Sequence, residues 1–215
     1  MRESAATDLV VVAERDGRRL LSGPPSAVAA QSDERPTFEM RVQDGGRTIP
    51  APGRVLGGAL VEGGVVWVTP AFELIDGRSR VLDRDVIPEI AVTACGGRIA
   101  YPHRAGEGQG VYVLALPDGE PRRVTDDLAT ADRPLFLLDG SLLVVGSRPS
   151  GIAGLWRVDP EGAGQATPLT NADLRTGRPL GPTFVPPPAY HASMRVEGNE
   201  LVYDDGRRER RVVLP

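Results

Sequence analysis

GGRIAYPHRAGEGQGVYVLALPDGEPRRVT, from Gly96 to Thr125, and DGSLLVVGSRPSGIAGLWRVDPEGAGQATPLT, from Asp139 to Thr170, are two versions of one pattern. Gly97 matches Gly140, Ile99 matches Leu142, Arg104 matches Arg148, Gly110 matches Gly154, Tyr112 matches Trp156 and Thr125 matches Thr170, at offsets of 43 to 45 residues. A repeat of about 40–45 residues is the period of a four-stranded propeller blade. Each copy then reads as an inner strand, a Gly-containing turn, a second strand, a longer loop, a third strand closing on Pro117-Asp118-Gly119 or Pro160-Glu161-Gly162, and an outer strand. A blade cannot bury both its faces alone, so Tyr112 and Trp156 are expected to pack between neighbouring blades. Arg104 and Arg148 are expected in the loop between the second and third strands.

Outward from this pair, the same hairpin grammar recurs. Short Val-, Leu- and Ile-rich runs broken by Gly-containing pairs are the signature of antiparallel hairpins. Six can be read: from Leu9, Phe38, Ala59, Glu89, Pro134 and Ala192, each with its turn near the middle. Ala59 to Leu82 has the blade layout with a shortened second half, and the segment from Ser193 to Pro215 lacks one strand. Gly23 to Pro36 and Thr176 to Pro188 read as loops or linkers, rich in Pro without alternation. The expectation is a single β-propeller-like domain over residues 1–215, its clearest blades at 87–128 and 132–171, with room for about five blades, some irregular. A partial propeller, cut from a longer ring, fits the same pattern. A β-sandwich remains the alternative should the repeat be coincidental.

Composition agrees with many short elements. The chain has 26 Gly and 20 Pro in 215 residues, with 40% hydrophobic and 25% charged residues, an excess of turn formers over ordinary globular usage. Aromatics make up only 5%, which weighs against a stacking platform for sugars or single-stranded nucleic acid. Net charge is −4 and the pI is about 5.3, the wrong sign for a nucleic-acid binder. The one basic cluster, Arg207, Arg208, Arg210 and Arg211 around Glu209, reads as a charged edge strand. No lysine occurs. Cys95 is the sole cysteine, so no internal disulfide is expected. The first residues, Met1 to Thr7, lack the apolar run of a signal peptide. A soluble chain is expected, in the cytoplasm for want of a signal peptide or in the periplasm after removal of one, and without membrane insertion.

The repeats resemble the TolB-type propeller repeat, a relative of the WD-type blade. GGRIAY, then His103-Arg104, then VYVLALPDGEPRRVT carry the likeness in the first copy; GSLLVV, Ser147-Arg148 and LWRVDPEGAGQATPLT carry it in the second. Two departures stand out. His103 and Ser147 replace the acidic member of the loop pair, and Ala94-Cys95-Gly96-Gly97 replaces a Ser-Pro-Asp-Gly turn. The resemblance covers the two copies well and implies a bacterial propeller fold. It implies little about function, because such propellers serve as interaction platforms, peptidase accessory domains and sensor domains alike.

The residues show no recognisable catalytic constellation. No G-x-S-x-G elbow occurs; Ser147 and Ser150 belong to a blade loop. His103 and His191 are far apart and lack the H-E-x-x-H spacing of a zinc site. Glu89, Asp132 and Asp173 are carboxylates at strand ends, where Asp usually shapes a turn, although paired channel carboxylates would serve glycoside hydrolysis. The Gly-rich stretches near Gly106 and Gly162 lack the helix and Lys of a phosphate loop. No cofactor and no metal are expected.

The leading expectation is therefore a non-enzymatic protein-binding module that presents loops on a rigid propeller scaffold, with Arg104, Arg148, His103 and Trp156 as binding candidates. A small-ligand or glycan binder at the propeller axis is one alternative. A hydrolase, or a hydrolase accessory domain, using channel carboxylates is another. Open sheet edges would also allow a homo-oligomer.

Overall fold

The computed structural model describes residues 9–25, 37–87, 92–106, 108–149, 154–162, 164–169, 195–204 and 208–214. Among them every regular element is a β-strand, in several sheets, none closed on itself. No helix there is long and apolar enough to cross a membrane. The chain forms two compact units, Met1–Glu89 and Ile90–Pro215.

In the first unit, β1 (Val10–Arg15), β2 (Arg18–Pro25), β3 (Phe38–Asp44) and β4 (Arg47–Val55) form one antiparallel meander. A second contains β5 (Gly57–Val61), β6 (Gly64–Val68), β7 (Leu74–Asp76) and β8 (Val81–Asp83). The opening hairpin shows why the turns were readable. Arg15 pairs with Arg18, leaving Asp16 and Gly17 as a two-residue loop with φ of 52° and 74°. Positive φ at both positions is the type I′ geometry that matches strand twist, and Asp-Gly is among the pairs that adopt it most easily. Between the two meanders lie Leu20, Met40, Val42, Val55, Leu60, Val65, Trp67 and Ile75, a core drawn from both sheets. Burying a side chain of this size contributes about 1.5–3 kcal/mol. Arg18 adds a polar clamp, donating to the carbonyls of Gly64 at 2.9 Å and Val61 at 2.7 Å, at the β5–β6 turn.

The second unit repeats the plan. β9 (Thr93–Cys95), β10 (Arg98–Ala105), β11 (Gly108–Ala115) and β12 (Arg122–Arg123) make one meander, and β13 (Thr130–Phe136), β14 (Leu142–Ser147), β15 (Gly154–Val158) and β16 (Ala166–Pro168) make the next. They are joined into one sheet by a single parallel pairing, Gln109 with Thr130. A three-stranded meander, β17 (Arg195–Glu197), β18 (Glu200–Asp204) and β19 (Glu209–Val213), follows.

Strand β14 explains the continuous apolar run at Leu142–Val145. Leu142 and Val144 join a core with Ala100, Val111, Val113 and Trp156, while Leu143 and Val145 join a second core with Leu201, Tyr203 and Val212. A strand buried on both faces loses its alternation. All six hairpins read from the sequence are present as antiparallel pairs, within the described residues. Of Gly23–Pro36, read as a loop or linker, Gly23–Pro25 instead complete β2 by pairing toward Phe38, and 26–36 lies outside the described residues, as do 176–188, His191, Glu89, Asp173, Ser150 and Thr170.

Candidate functional site

The β10–β11 hairpin and the β14–β15 pair hold all four binding candidates. In the first, His103 pairs with Gly110 and Arg104 with Gln109; in the second, Gly146 pairs with Gly154. If Gly110 and Gly154 are equivalent, as their match in sequence requires, His103 corresponds to Gly146, and Ser147 stands in the place of Arg104. The sequence match of Arg104 with Arg148 is therefore shifted by one residue. Arg104 lies within β10 rather than in a loop, while Arg148 is the first residue after β14.

That shift puts the two arginines to different uses. Arg148 leans over the Trp156 ring with its guanidinium carbon 5.0 Å from the ring centroid. It also donates to Asp127 Oδ2 and to the Ala166 carbonyl, both at 3.3 Å. Asp127 in turn accepts from the Ala166 N–H at 3.1 Å. The β12–β13 connection is thus pinned to β16 through Arg148. Trp156 is 7% exposed and its Nε1 donates to the Gly146 carbonyl at 2.7 Å. Its ring lies in the core shared by the two meanders.

His103 is half-buried, its ring 4.4 Å from that of Tyr112. Arg104, by contrast, is exposed, and it has no hydrogen-bond or ion-pair partner among the described residues. Its neighbours in sequence are all in use. Arg98 meets Glu161 at 2.6 Å, Arg122 donates to the carbonyls of Pro160 and Gly162, and Arg123 donates to the Leu128 carbonyl at 3.1 Å. Arg157 bonds Ser141 Oγ at 3.1 Å and pairs with Asp139.

The close of the repeat has a structural explanation as well. Val124 N–H donates to the Val111 carbonyl at 3.0 Å, and Leu169 N–H to the Leu155 carbonyl at 2.9 Å, the same bond in both copies. Thr125 is fully buried and its Oγ1 accepts from the Val111 N–H at 3.0 Å. Asp132, weighed above as a channel carboxylate, sits at an irregularity of β13 beside Arg133, whose φ is 50°.

Asp139 and Asp76 are held below their ordinary 3.8. Asp139 is lowered first by the hydroxyl of Ser141, then by that residue's N–H and by Arg157. At Asp76 burial pushes upward, and the backbone N–H groups of Arg80 and Arg78 outweigh it. On the terminal meander Arg195, Glu197, Glu200, Glu209 and Arg211 form a cross-strand ion ladder.

A further residue escaped the sequence reading. Phe72, between β6 and β7, has φ of 60° and is 40% exposed. The left-handed region costs a residue with a Cβ about 1–2 kcal/mol, and for a bulky side chain it is a genuine outlier. Pro70-Ala71-Phe72 carries neither the Gly nor the Asn that would have announced it.

No family model matches the chain, and no curated protein does. Among solved structures, TolB from Acinetobacter baumannii is similar at 18% identity and a TM-score of 0.49, over 95% of this chain and 65% of that one. A puromycin-hydrolyzing peptidase from Mycobacterium tuberculosis is similar at 17% identity and a TM-score of 0.51, over 87% of this chain and 32% of that one. The chain thus spans less than two thirds of the first and about a third of the second. The peptidase likeness supports a propeller type of fold and is one of fold alone.

Proposed function

We propose that this chain is a non-enzymatic protein-binding module, in which meanders acting as propeller blades hold hairpin ends out to a protein partner. The single observation that supports this reading is the contrast at Arg104. Arginines along the two repeated meanders are engaged in clamping turns and covering Trp156, whereas Arg104 stands exposed near the tip of a hairpin built from two eight-residue strands. A stiff hairpin leaves little backbone freedom to lose on binding, and Arg is enriched among residues that dominate protein interfaces.

The test is affinity purification from the native lysate with the intact chain and with Arg104→Glu, followed by binding measurements on the purified partner. Arg104→Glu should fold normally and lose at least tenfold in affinity, as expected where a contact contributes about 1.4 kcal/mol or more. Undiminished affinity would remove Arg104 from the surface. Turnover of a glycan or ester by the purified chain, abolished by a carboxylate substitution, would overturn the non-enzymatic reading.

A further inference from the structure

Strand β1 ends its sheet, and its outer backbone groups meet no strand among the described residues. An unpaired edge is a row of N–H and C=O groups that templates another strand. The other described edges are protected against this. β4 carries Pro50 and Pro52; β8, β9, β16 and β17 run for three residues each and β12 for two. β5 offers no exposed side chain, and β19 opens with Glu209-Arg210-Arg211. β1, by contrast, is six residues long and begins Val10-Val11-Val12, which are 63%, 48% and 52% exposed.

The position of these valines says what covers them. Successive side chains of a strand point to opposite faces, and Val10 and Val11 pair in regular register with Ser22 and Leu21. The apolar surface therefore lies on both faces of the edge, and a partner resting on one face of the sheet leaves the other bare. A strand added alongside covers both faces through cross-strand contacts and bonds the outer backbone groups as well. The register shift between Val11 and Ala13 bends the edge, as a bulge does, without taking the valines out of solvent.

We propose that β1 is a dimerisation strand, which pairs antiparallel with β1 of a second copy. The run from Leu9 to Ala13 is apolar throughout and meets itself equally well in either direction. The charges that follow it choose the direction. In parallel, the two copies would set Glu14 against Glu14 and Arg15 against Arg15, and like charges side by side are destabilising. Antiparallel, those charges go to opposite ends of the pair and the valines meet in the middle. The two copies are then related by a two-fold axis, so that one edge serves both and the assembly closes as a dimer. One short strand from each copy is a small contact beside the roughly 1,200 Å² of a stable interface, so the dimer dissociates on dilution.

This inference does not rest on the binding-module reading, which concerns the β10–β11 hairpin. Sedimentation equilibrium of the full chain over about two decades of concentration gives the association constant, and amide exchange at the two extremes shows which strand is covered. The expected result is a monomer–dimer equilibrium in which the β1 amides exchange more slowly in the dimer. Val11→Lys and Val12→Lys, each placing on the edge a residue that blocks pairing, should weaken association at least tenfold and leave the unfolding midpoint of the monomer unchanged. A monomer at every concentration would overturn the proposal, also where a strand of another protein takes the edge. So would a dimer whose β1 amides exchange as fast as the monomer's, or one that both substitutions leave intact. Where a Lys variant fails to fold, amide exchange of the wild-type dimer decides alone.

Discussion

Trp156 spans the ladder to donate its indole N–H to the carbonyl of Gly146 at 2.7 Å, two residues along β14 from its own register partner, Val144. The bond satisfies the one polar atom of a ring otherwise buried among apolar side chains, as buried indoles generally require. The same ring carries Arg148 on its face, so one residue links the core to the polar clamp at the end of β14.

Replacing this ring separates its two contributions. Trp156→Phe should cost about 1–3 kcal/mol, from the lost bond and the partly unfilled volume. Trp156→Ala should cost about 3–5 kcal/mol. Urea unfolding of the purified variants measures both.

Gly146 and Gly17 are sensitive for different reasons. A Cβ on Gly146 would stand 2.5 Å from the Thr130 carbonyl oxygen and 3.0 Å from Leu128 Cδ1, so Gly146→Ala should destabilise by about 1–3 kcal/mol through displaced backbone. A Cβ on Gly17 meets nothing within 4 Å, but its φ is 74°. Gly17→Ala should cost about 1 kcal/mol through backbone strain alone, with the β13–β14 pairing undisturbed by amide exchange.

The two repeat arginines should part company in stability. Arg104→Ala, at an exposed position, is expected within about 0.5 kcal/mol of wild type. Arg148→Ala loses the ring contact and the bonds to Asp127 and Ala166. With half of its side chain exposed, the expected loss is about 0.5–1 kcal/mol. Thermal unfolding resolves this, since 1 kcal/mol shifts the midpoint of a chain this size by roughly 2–4 °C.

Acid should loosen the turn after β13. The carboxyl of Asp139 is lowered in the folded chain from its ordinary 3.8, so the unfolded chain binds its proton first as pH falls. The stabilisation is complete above 3.8, and it drains away as pH descends from there through the folded value. Asp139→Asn should therefore flatten the acid limb of a stability-against-pH curve below about pH 4, and leave the limb above pH 5 parallel to wild type.

Legibility divided along the range of the interactions. Asp16-Gly17 between alternating strands was readable because the turn is decided by its own two residues. The repeat was readable too, since Gly110 and Gly154 hold like places in their ladders. The Arg104–Arg148 match failed because it followed residue type, whereas register is set by pairing, and a one-residue slip changes the face a side chain takes. Phe72 left no mark at all. Its backbone is held by bonds to Thr69 and by Val86, fourteen residues away.

The sequence by itself determined an all-β chain, the places of its hairpins, and the 43- to 45-residue beat of two meanders, because turn chemistry and strand propensity act over a few neighbouring residues. Among the described residues, tertiary structure decided which arginines of the repeated meanders are consumed and which are displayed. Arg18 finds the carbonyls of Val61 and Gly64, Arg98 finds Glu161, and Arg148 finds Asp127, while Arg104 faces solvent. Those outcomes depend on one meander meeting the next, a long-range event that no local pattern encodes.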